Sequence, residues 1–135
     1  MDTLSRYAPQ ALAVLRIVTA LLFIEHGTAK LFGFPGAMGG GAGEGLPPLM
    51  LIGGILEAFG GLAILLGLFT RPVAFVLSGE MAVAYWMMHV PGGGGFPLVN
   101  KGDAAVLFCF VFLYLVFAGP GAWSVDGLRA SRLSR

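Results

Sequence analysis

Four long stretches of mostly apolar residues dominate the chain, at residues 11–31, 46–68, 73–89 and 101–118. A helix needs about 17 to 25 such residues to cross a bilayer, and all four stretches meet this length. The pattern therefore predicts an all-α, four-helix transmembrane bundle that forms a single domain over residues 1–135. The first stretch is too long for the core of a signal peptide, which favours a retained helix.

The residues between the stretches indicate where the helices begin and end. Pro47 and Pro48 suit the first turn of the second helix, where a missing N–H costs little. Thr70 is predicted to cap the third helix. Two glycine-rich segments, residues 33–45 and 91–95, are predicted to be loops on the outer side. The few residues between the second and third stretches make these two helices antiparallel neighbours.

The composition supports a membrane protein and excludes several other classes. Hydrophobic residues make up 57% of the chain and charged residues 11%, against about 25% charged residues in soluble domains. The formal net charge of +1 and the lack of a basic stripe argue against nucleic acid as a partner. Cys109 is the single cysteine, so a disulfide or dithiol centre within one chain is excluded.

The basic residues predict the orientation in the membrane. Four spans place both termini on one side, together with five arginines: Arg6, Arg71, Arg129, Arg132 and Arg135. Lys30 and Lys101 then lie on the other side, and Lys30 and His89 are predicted at outer helix ends, where they can reach the interface. Because basic residues accumulate on the cytoplasmic side, both termini are predicted to be cytoplasmic.

Ionisable residues inside the apolar stretches are the candidates for function. Each costs about 2.5 to 3.5 kcal/mol to insert at the centre of a span, so each needs a reason. Helical geometry and the lean of side chains towards the N-terminus predict an Arg16–Glu80 contact and a Glu57–His26 contact. Two interpretations remain open: the groups lock the register of the helices, or they line a polar pocket for a ligand or proton relay.

A metal site on the outer side of the bundle is a more specific alternative to a polar pocket for a ligand or proton relay. Imidazole and carboxylate groups suit several transition metals, and four such residues are predicted on that side: Glu25, His26, His89 and Asp103. No two of them have the spacing of ligands on one helix. No metal is therefore predicted.

Several short motifs, in order along most of the chain, resemble those of the DoxX family of small bacterial membrane proteins. Arg16 is followed by Phe23-x-x-His26-Gly27-x-x-Lys30, and then by Leu56-Glu57-x-x-Gly60-Gly61. Further motifs are Gly79-Glu80-Met81, His89-x-Pro91, Phe96-Pro97-x-x-Asn100-x-Gly102 and Gly119-Pro120-Gly121-x-x-Ser124-x-Asp126. Two positions depart from the pattern: Asp103 stands where many relatives have Glu, and Lys101 is basic where the motif is often small.

The resemblance implies a four-helix bundle in the bacterial inner (plasma) membrane and an association with quinone-linked oxidoreduction. On this hypothesis the chain is a subunit that binds quinone in a polar pocket, with ligand-binding candidates Arg16, His26, Glu57, Glu80 and Tyr85, and with Trp86 as a further aromatic wall. Residues with a structural or lid role would be Lys30, His89, Asn100 and Asp103. Catalytic residues are not assigned, and a protein partner or homo-oligomer is expected, because no electron carrier is visible in the sequence.

Two other functions remain open from the sequence. A non-catalytic scaffold or chaperone-like subunit would use the polar core to hold the bundle and glycine-rich surfaces to dock a partner complex. A transporter is less favoured, because four helices rarely enclose a pathway without oligomerising.

Overall fold

A computed structural model describes residues 2–38 and 45–134, and this part of the chain is helical with no β-strand. The helices are α1 (Asp2–Ser5), α2 (Ala8–Phe32), α3 (Pro48–Leu66), α4 (Thr70–Gly93), α5 (Pro97–Asn100), α6 (Asp103–Ala118) and α7 (Val125–Leu133). Residues 39–44 of the predicted outer loop and Arg135 lie outside the described residues.

Within the described residues, three helices are long and apolar enough to cross a membrane, namely α2, α3 and α4. The fourth, α6, is apolar but has 16 residues, which corresponds to a length of about 24 Å. The predicted boundaries differ from the observed ones by up to four residues. The largest difference is at the end of α4, where the helix continues past His89 to Gly93.

The helices pack around a core of aromatic and aliphatic side chains. The ring of Phe23 in α2 meets the rings of Phe108 and Phe112 in α6 edge to face, with centroids 5.1 and 4.8 Å apart. One turn further along α2, a Cβ at Gly27 would lie 2.5 Å from the backbone nitrogen of Ala58. The bare glycine therefore allows the backbones of α2 and α3 to approach closely.

The ends of the four long helices alternate in the order expected for antiparallel neighbours. At one end, the Arg71 guanidinium near the start of α4 donates to the carbonyl of Val116 near the end of α6, at 2.6 Å. The N–H of Ala122, just after α6, donates to the carbonyl of Pro9 in the first turn of α2. The start of α2, the start of α4 and the end of α6 therefore lie together.

The C-terminal helix α7, which the sequence analysis missed, provides the cap of α4. Asp126 accepts hydrogen bonds from the backbone N–H groups of Phe69 and Thr70, at 2.9 and 2.8 Å. The prediction that Thr70 caps this helix is wrong, because Thr70 is itself fully buried and Phe69 takes a left-handed conformation before it. The cap comes from a residue 56 positions along the chain.

The surroundings of Asp126 favour its charged form. Burial of the carboxyl group opposes ionisation, but the hydrogen bonds from Thr70 and Phe69 and the positive charge of Arg129 together outweigh burial. The pKa of Asp126 is consequently held below its usual value of 3.8. An ionised Asp126 at neutral pH thus stabilises the junction of α3, α4 and α7.

Candidate functional site

A cavity with a volume of about 520 Å³ lies between α2, α3, α4 and the start of α6. Most of its wall is apolar, including Phe23, Met50, Met81 and Phe108. Six ionisable side chains also line it: His26, Lys30, Glu57, Glu80, His89 and Lys101. A mostly apolar cavity of this size with a few polar groups is typical of a small-molecule site.

An ion pair between α2 and α3 forms the polar part of the cavity wall. Lys30 Nζ lies 2.6 Å from Glu57 Oε1. The Glu57 side chain is 2% exposed and that of Lys30 16%. The second carboxylate oxygen of Glu57 is buried and has no hydrogen-bond partner. Lys30, predicted from the sequence to reach the interface at a helix end, is instead held inside by this pair.

The second glutamate, Glu80, reaches the same place from α4. A Cβ added at Gly53 of α3 would lie 3.3 Å from Glu80 Oε1 and 3.9 Å from Lys30 Nζ. Glycine at this position therefore leaves the space in which the lysine and the second carboxyl group approach each other. Glu80 Oε2 is buried without a hydrogen-bond partner, like Glu57 Oε2.

Two π-helical segments interrupt the α-helices beside the cavity. One is Leu56–Gly60, which contains Glu57, and the other is Tyr85–His89, which contains His89. A π-helical turn widens the backbone spiral and redirects the side chains that follow, and such turns are frequent at functional sites. The two segments place one ionisable group on each side of the cavity.

The predicted Glu57–His26 contact does not form. The ring nitrogen Nδ1 of His26 is 2.8 Å from the carbonyl of Leu22, one turn earlier in the same helix. His26 still faces the cavity, and its ring packs edge to face against Phe108. The pairing was misassigned because Lys30, one turn further along the same face of α2, has the longer side chain and the fixed charge.

The predicted Arg16–Glu80 contact is also wrong. Arg16 is fully buried and donates a hydrogen bond from Nη2 to the carbonyl of Trp123, at 2.8 Å. A side chain at Gly67 would overlap Arg16, so the guanidinium lies level with the end of α3. Glu80 lies ten residues into α4, which corresponds to about 15 Å of helix rise. Arg16 does not line the cavity.

Tyr85, in the second half of α4, and Asn100, at the end of α5, hold the loop between these helices in place. The Tyr85 hydroxyl donates to the carbonyl of Gly95 at 2.9 Å. The Asn100 side-chain amide donates to the Tyr85 oxygen and to the carbonyl of Gly94, and its oxygen accepts from the N–H of Gly102. Neither Tyr85 nor Asn100 lines the cavity.

The remaining predicted residues surround this loop. His89 Nδ1 lies 3.2 Å from the carbonyl of Asn100, and its ring stacks on Tyr85. Asp103 is exposed in the first turn of α6, where a negative charge suits the helix dipole. Trp86, a predicted wall, is exposed on α4 and does not line the cavity.

The cavity opens sideways between α3 and α4. Of its lining residues, Ile52 on α3 and Val76, Val83 and Met88 on α4 are 48 to 55% exposed. Side chains exposed on the flank of apolar helices face lipid tails in a membrane. The cavity is thus accessible from the apolar phase.

Metal ligation finds no support in the described ranges, where no three His, Cys, Asp or Glu side chains group closely enough to hold an ion. Glu25 is exposed on α2, and Asp103 lies outside the wall of the cavity that His26 and His89 line. The four residues considered from the sequence are not brought together as a ligand set.

An all-helical chain with long apolar helices and charged groups buried between them defines a multi-pass membrane protein, and its relatives identify the membrane and the family. The chain belongs to the DoxX family, whose family model matches residues 11–90. It is 33% identical to the inner membrane protein YphA of Escherichia coli, over 87% of this chain and 89% of YphA. It is 32% identical to YqjF, another E. coli inner membrane protein, over 85% of this chain and 88% of YqjF.

A third relative, an uncharacterized protein of Haemophilus influenzae, is 49% identical over 93% of this chain and 96% of its own length. No solved structure matches the chain. The relatives and the apolar helices together make this a multi-pass protein of a bacterial inner membrane.

Proposed function

We propose that this protein is a small membrane subunit of quinone-linked oxidoreduction, and that its cavity binds a quinone-class ring. The observation that carries the proposal is an apolar cavity of about 520 Å³ with an ion pair in its wall and a lateral opening to the lipid phase. Quinones are lipid-soluble and carry polar oxygens on an apolar ring. A site for them needs an apolar body, a few polar groups and access from the membrane.

The ionisable side chains supply the chemistry that such a ligand requires. Interconversion of a quinone and its quinol moves two protons along with two electrons. Glu57, Glu80 and His26 can accept or donate these protons at the cavity wall. The electrons pass to a redox partner of the membrane, because amino-acid side chains of this kind carry protons and not electron pairs.

Arg16 and Tyr85 enter this proposal as positioning residues. Arg16 ties α2 to the segment before α7 through the carbonyl of Trp123. Tyr85 holds the loop after α4 through Gly95. His89 and Lys101 line the outer part of the cavity.

The proposed topology has four spans and cytoplasmic termini. The helix ends that carry Arg71 and Arg129 lie together with the start of α2, which favours this end as the cytoplasmic one. The helix α6 is then a short span, matched by local thinning of the bilayer.

Extraction of the purified protein tests the ligand. The protein is isolated in a mild detergent and extracted with organic solvent, and quinones in the extract are identified and quantified against protein. We expect a bound quinone in the wild type, and its loss in Gly53→Val, which places a side chain in the cavity. Gly79→Val is the matched control, since a Cβ at Gly79 meets nothing within 4 Å.

Failure of both extraction and direct titration with quinone would overturn the proposal. A stoichiometric protein partner without any quinone, seen by native mass spectrometry, would instead support the scaffold function.

A further inference from the structure

The two carboxyl groups of the cavity share a single lysine. Glu57 is paired with Lys30 through Oε1, and Glu57 Oε2 is buried with no partner. Glu80 reaches the same space over Gly53, and its Oε2 is also buried with no partner. Two carboxyl groups, each with one unsatisfied oxygen, thus lie at the polar part of an otherwise apolar cavity.

The other charged and titratable groups that line the cavity leave this imbalance in place. Neither His26 nor His89 forms an ion pair with these carboxyl groups within the described residues, and their Nδ1 atoms contact the backbone carbonyls of Leu22 and Asn100. Lys101 is exposed in the loop before α6. Close to the ion pair, one positive charge therefore faces two carboxyl groups.

Charge balance assigns a proton to this pair. A second uncompensated carboxylate among apolar helices is costly, and two carboxyl groups that share a site avoid it when one of them is protonated. Glu57 has the direct contact with the ammonium and keeps the negative charge. Glu80 is then a neutral acid that can donate a hydrogen bond.

We infer that the cavity holds its ligand by a hydroxyl group seated between Glu57 and Glu80. The hydroxyl donates its hydrogen to the Glu57 carboxylate and accepts one from the Glu80 acid. The inference rests on the proposed function for the class of ring, and it adds that the site takes the reduced form, a hydroquinone or related phenol, in preference to the quinone.

The preference follows from the hydrogen-bonding capacity of the two forms. A quinone oxygen can only accept, so it satisfies Glu80 and leaves the ionised Glu57 oxygen without a donor. A hydroxyl group satisfies both carboxyl groups at once. Leaving a buried ionised acceptor without a donor should weaken binding by a factor on the order of ten or more.

Binding measurements on the wild-type protein test the inference without relying on any variant. The probes are one short-chain hydroquinone, its dimethyl ether and the matching quinone, titrated anaerobically into protein in detergent micelles. We expect the hydroquinone to bind on the order of tenfold more tightly than both other probes.

Variants then assign the preference to the carboxyl pair. Glu57→Gln should reduce the preference for the hydroxyl form, and Glu25→Gln, on an exposed glutamate of α2, should leave it unchanged. Infrared spectra in D₂O and H₂O report the protonated carboxyl group directly. The C=O band of a buried carboxylic acid should be present in the wild type and in Glu25→Gln, and absent in Glu80→Gln.

The outcomes separate this inference from the proposed function. Equal affinity for all three probes, or no protonated carboxyl band in the wild type, would overturn the hydroxyl site and leave quinone binding standing. If none of the rings binds, the proposed function fails and the inference fails with it.

Discussion

Lys30 Nζ in α2 lies 2.6 Å from Glu57 Oε1 in the π-helical segment of α3. The pair crosses the interface of the first two long helices, close to the point where Gly27 lets their backbones approach. It thus joins the packing of the bundle to the wall of its cavity. Any change at either residue is expected to affect both.

Loss of the lysine partner should destabilise the protein strongly. Lys30→Met leaves the buried Glu57 carboxylate without its counter-charge, and breaking a buried pair in this way costs about 3 to 5 kcal/mol. Replacing both residues, as in Lys30→Met with Glu57→Leu, should recover most of that loss. Thermal unfolding in one detergent measures both variants.

Lys101→Met is the control for this experiment, because Lys101 also lines the cavity but is exposed. It should change stability by less than about 0.5 kcal/mol. If Lys30→Met unfolded at the wild-type temperature, the ion pair would have no structural role.

Two helix glycines should respond to alanine in opposite directions. At Gly27 a Cβ would lie 2.5 Å from Ala58 N and 2.9 Å from Gly54 O, both backbone atoms. Because α2 and α3 must separate to accept it, Gly27→Ala should cost about 1 to 3 kcal/mol. Gly79→Ala meets nothing within 4 Å and should gain up to about 1 kcal/mol from helix propensity. Unfolding in a denaturing detergent titration measures both, and equal effects would contradict the close packing of α2 on α3.

The Asp126 cap should make the end of the bundle at the start of α4 sensitive to acid. The pKa of Asp126 lies below 3.8 in the folded protein, so the unfolded state binds the proton more readily. Its stabilising effect is complete above pH of about 3.8 and is lost as the pH falls through the folded-state pKa. At neutral pH, Asp126→Ala should cost about 0.5 to 2 kcal/mol, as loss of a helix cap does.

Melting temperatures of the wild type and Asp126→Ala, measured from neutral pH down to pH of about 2, check the sign. The two curves should differ at neutral pH and converge in acid. A difference that grew as the pH fell would contradict the cap. Asp103→Ala, at an exposed residue in the first turn of α6, is the control for loss of a carboxylate.

Cysteine labelling in intact cells should reveal the topology. In a Cys109→Ala background, Gly95→Cys in the loop after α4 should react with a membrane-impermeant maleimide. Ser131→Cys in α7 should react only after the membrane is permeabilised. The reverse pattern would invert the proposed orientation, and labelling of both from outside would show that α6 does not cross the membrane.

The charged residues inside the helices were identifiable from the sequence because the bilayer makes each of them expensive. Their partners were not. The sequence analysis paired Arg16 with Glu80 from helical faces and depth alone, and it placed Lys30 at the interface. Helical faces and depth do not include the shift of one helix along another. A shift of one turn is enough to exchange Lys30 for His26 as the partner of Glu57.

The C-terminal segment shows the same limit. The motif Gly119-Pro120-Gly121-x-x-Ser124-x-Asp126 was visible as a family resemblance, but its role was not. Asp126 caps α4 across 56 residues of sequence. A cap supplied by a residue outside the helix that it caps leaves no local sequence pattern. Nothing in the sequence near Thr70 indicates that a carboxylate so far along the chain will cap this helix.

What the sequence by itself determined is the class of protein: apolar length and scarce charge require a lipid environment, and the order of the motifs identified the family. The tertiary structure alone decided which charged groups meet, that Gly53 leaves room between Lys30 and Glu80, and that α3 and α4 leave a lateral opening. The apolar length of a helix depends on the residues of that helix alone, so it can be counted along the sequence. The meeting of two side chains depends on the relative shift and rotation of two helices, which only their packing fixes.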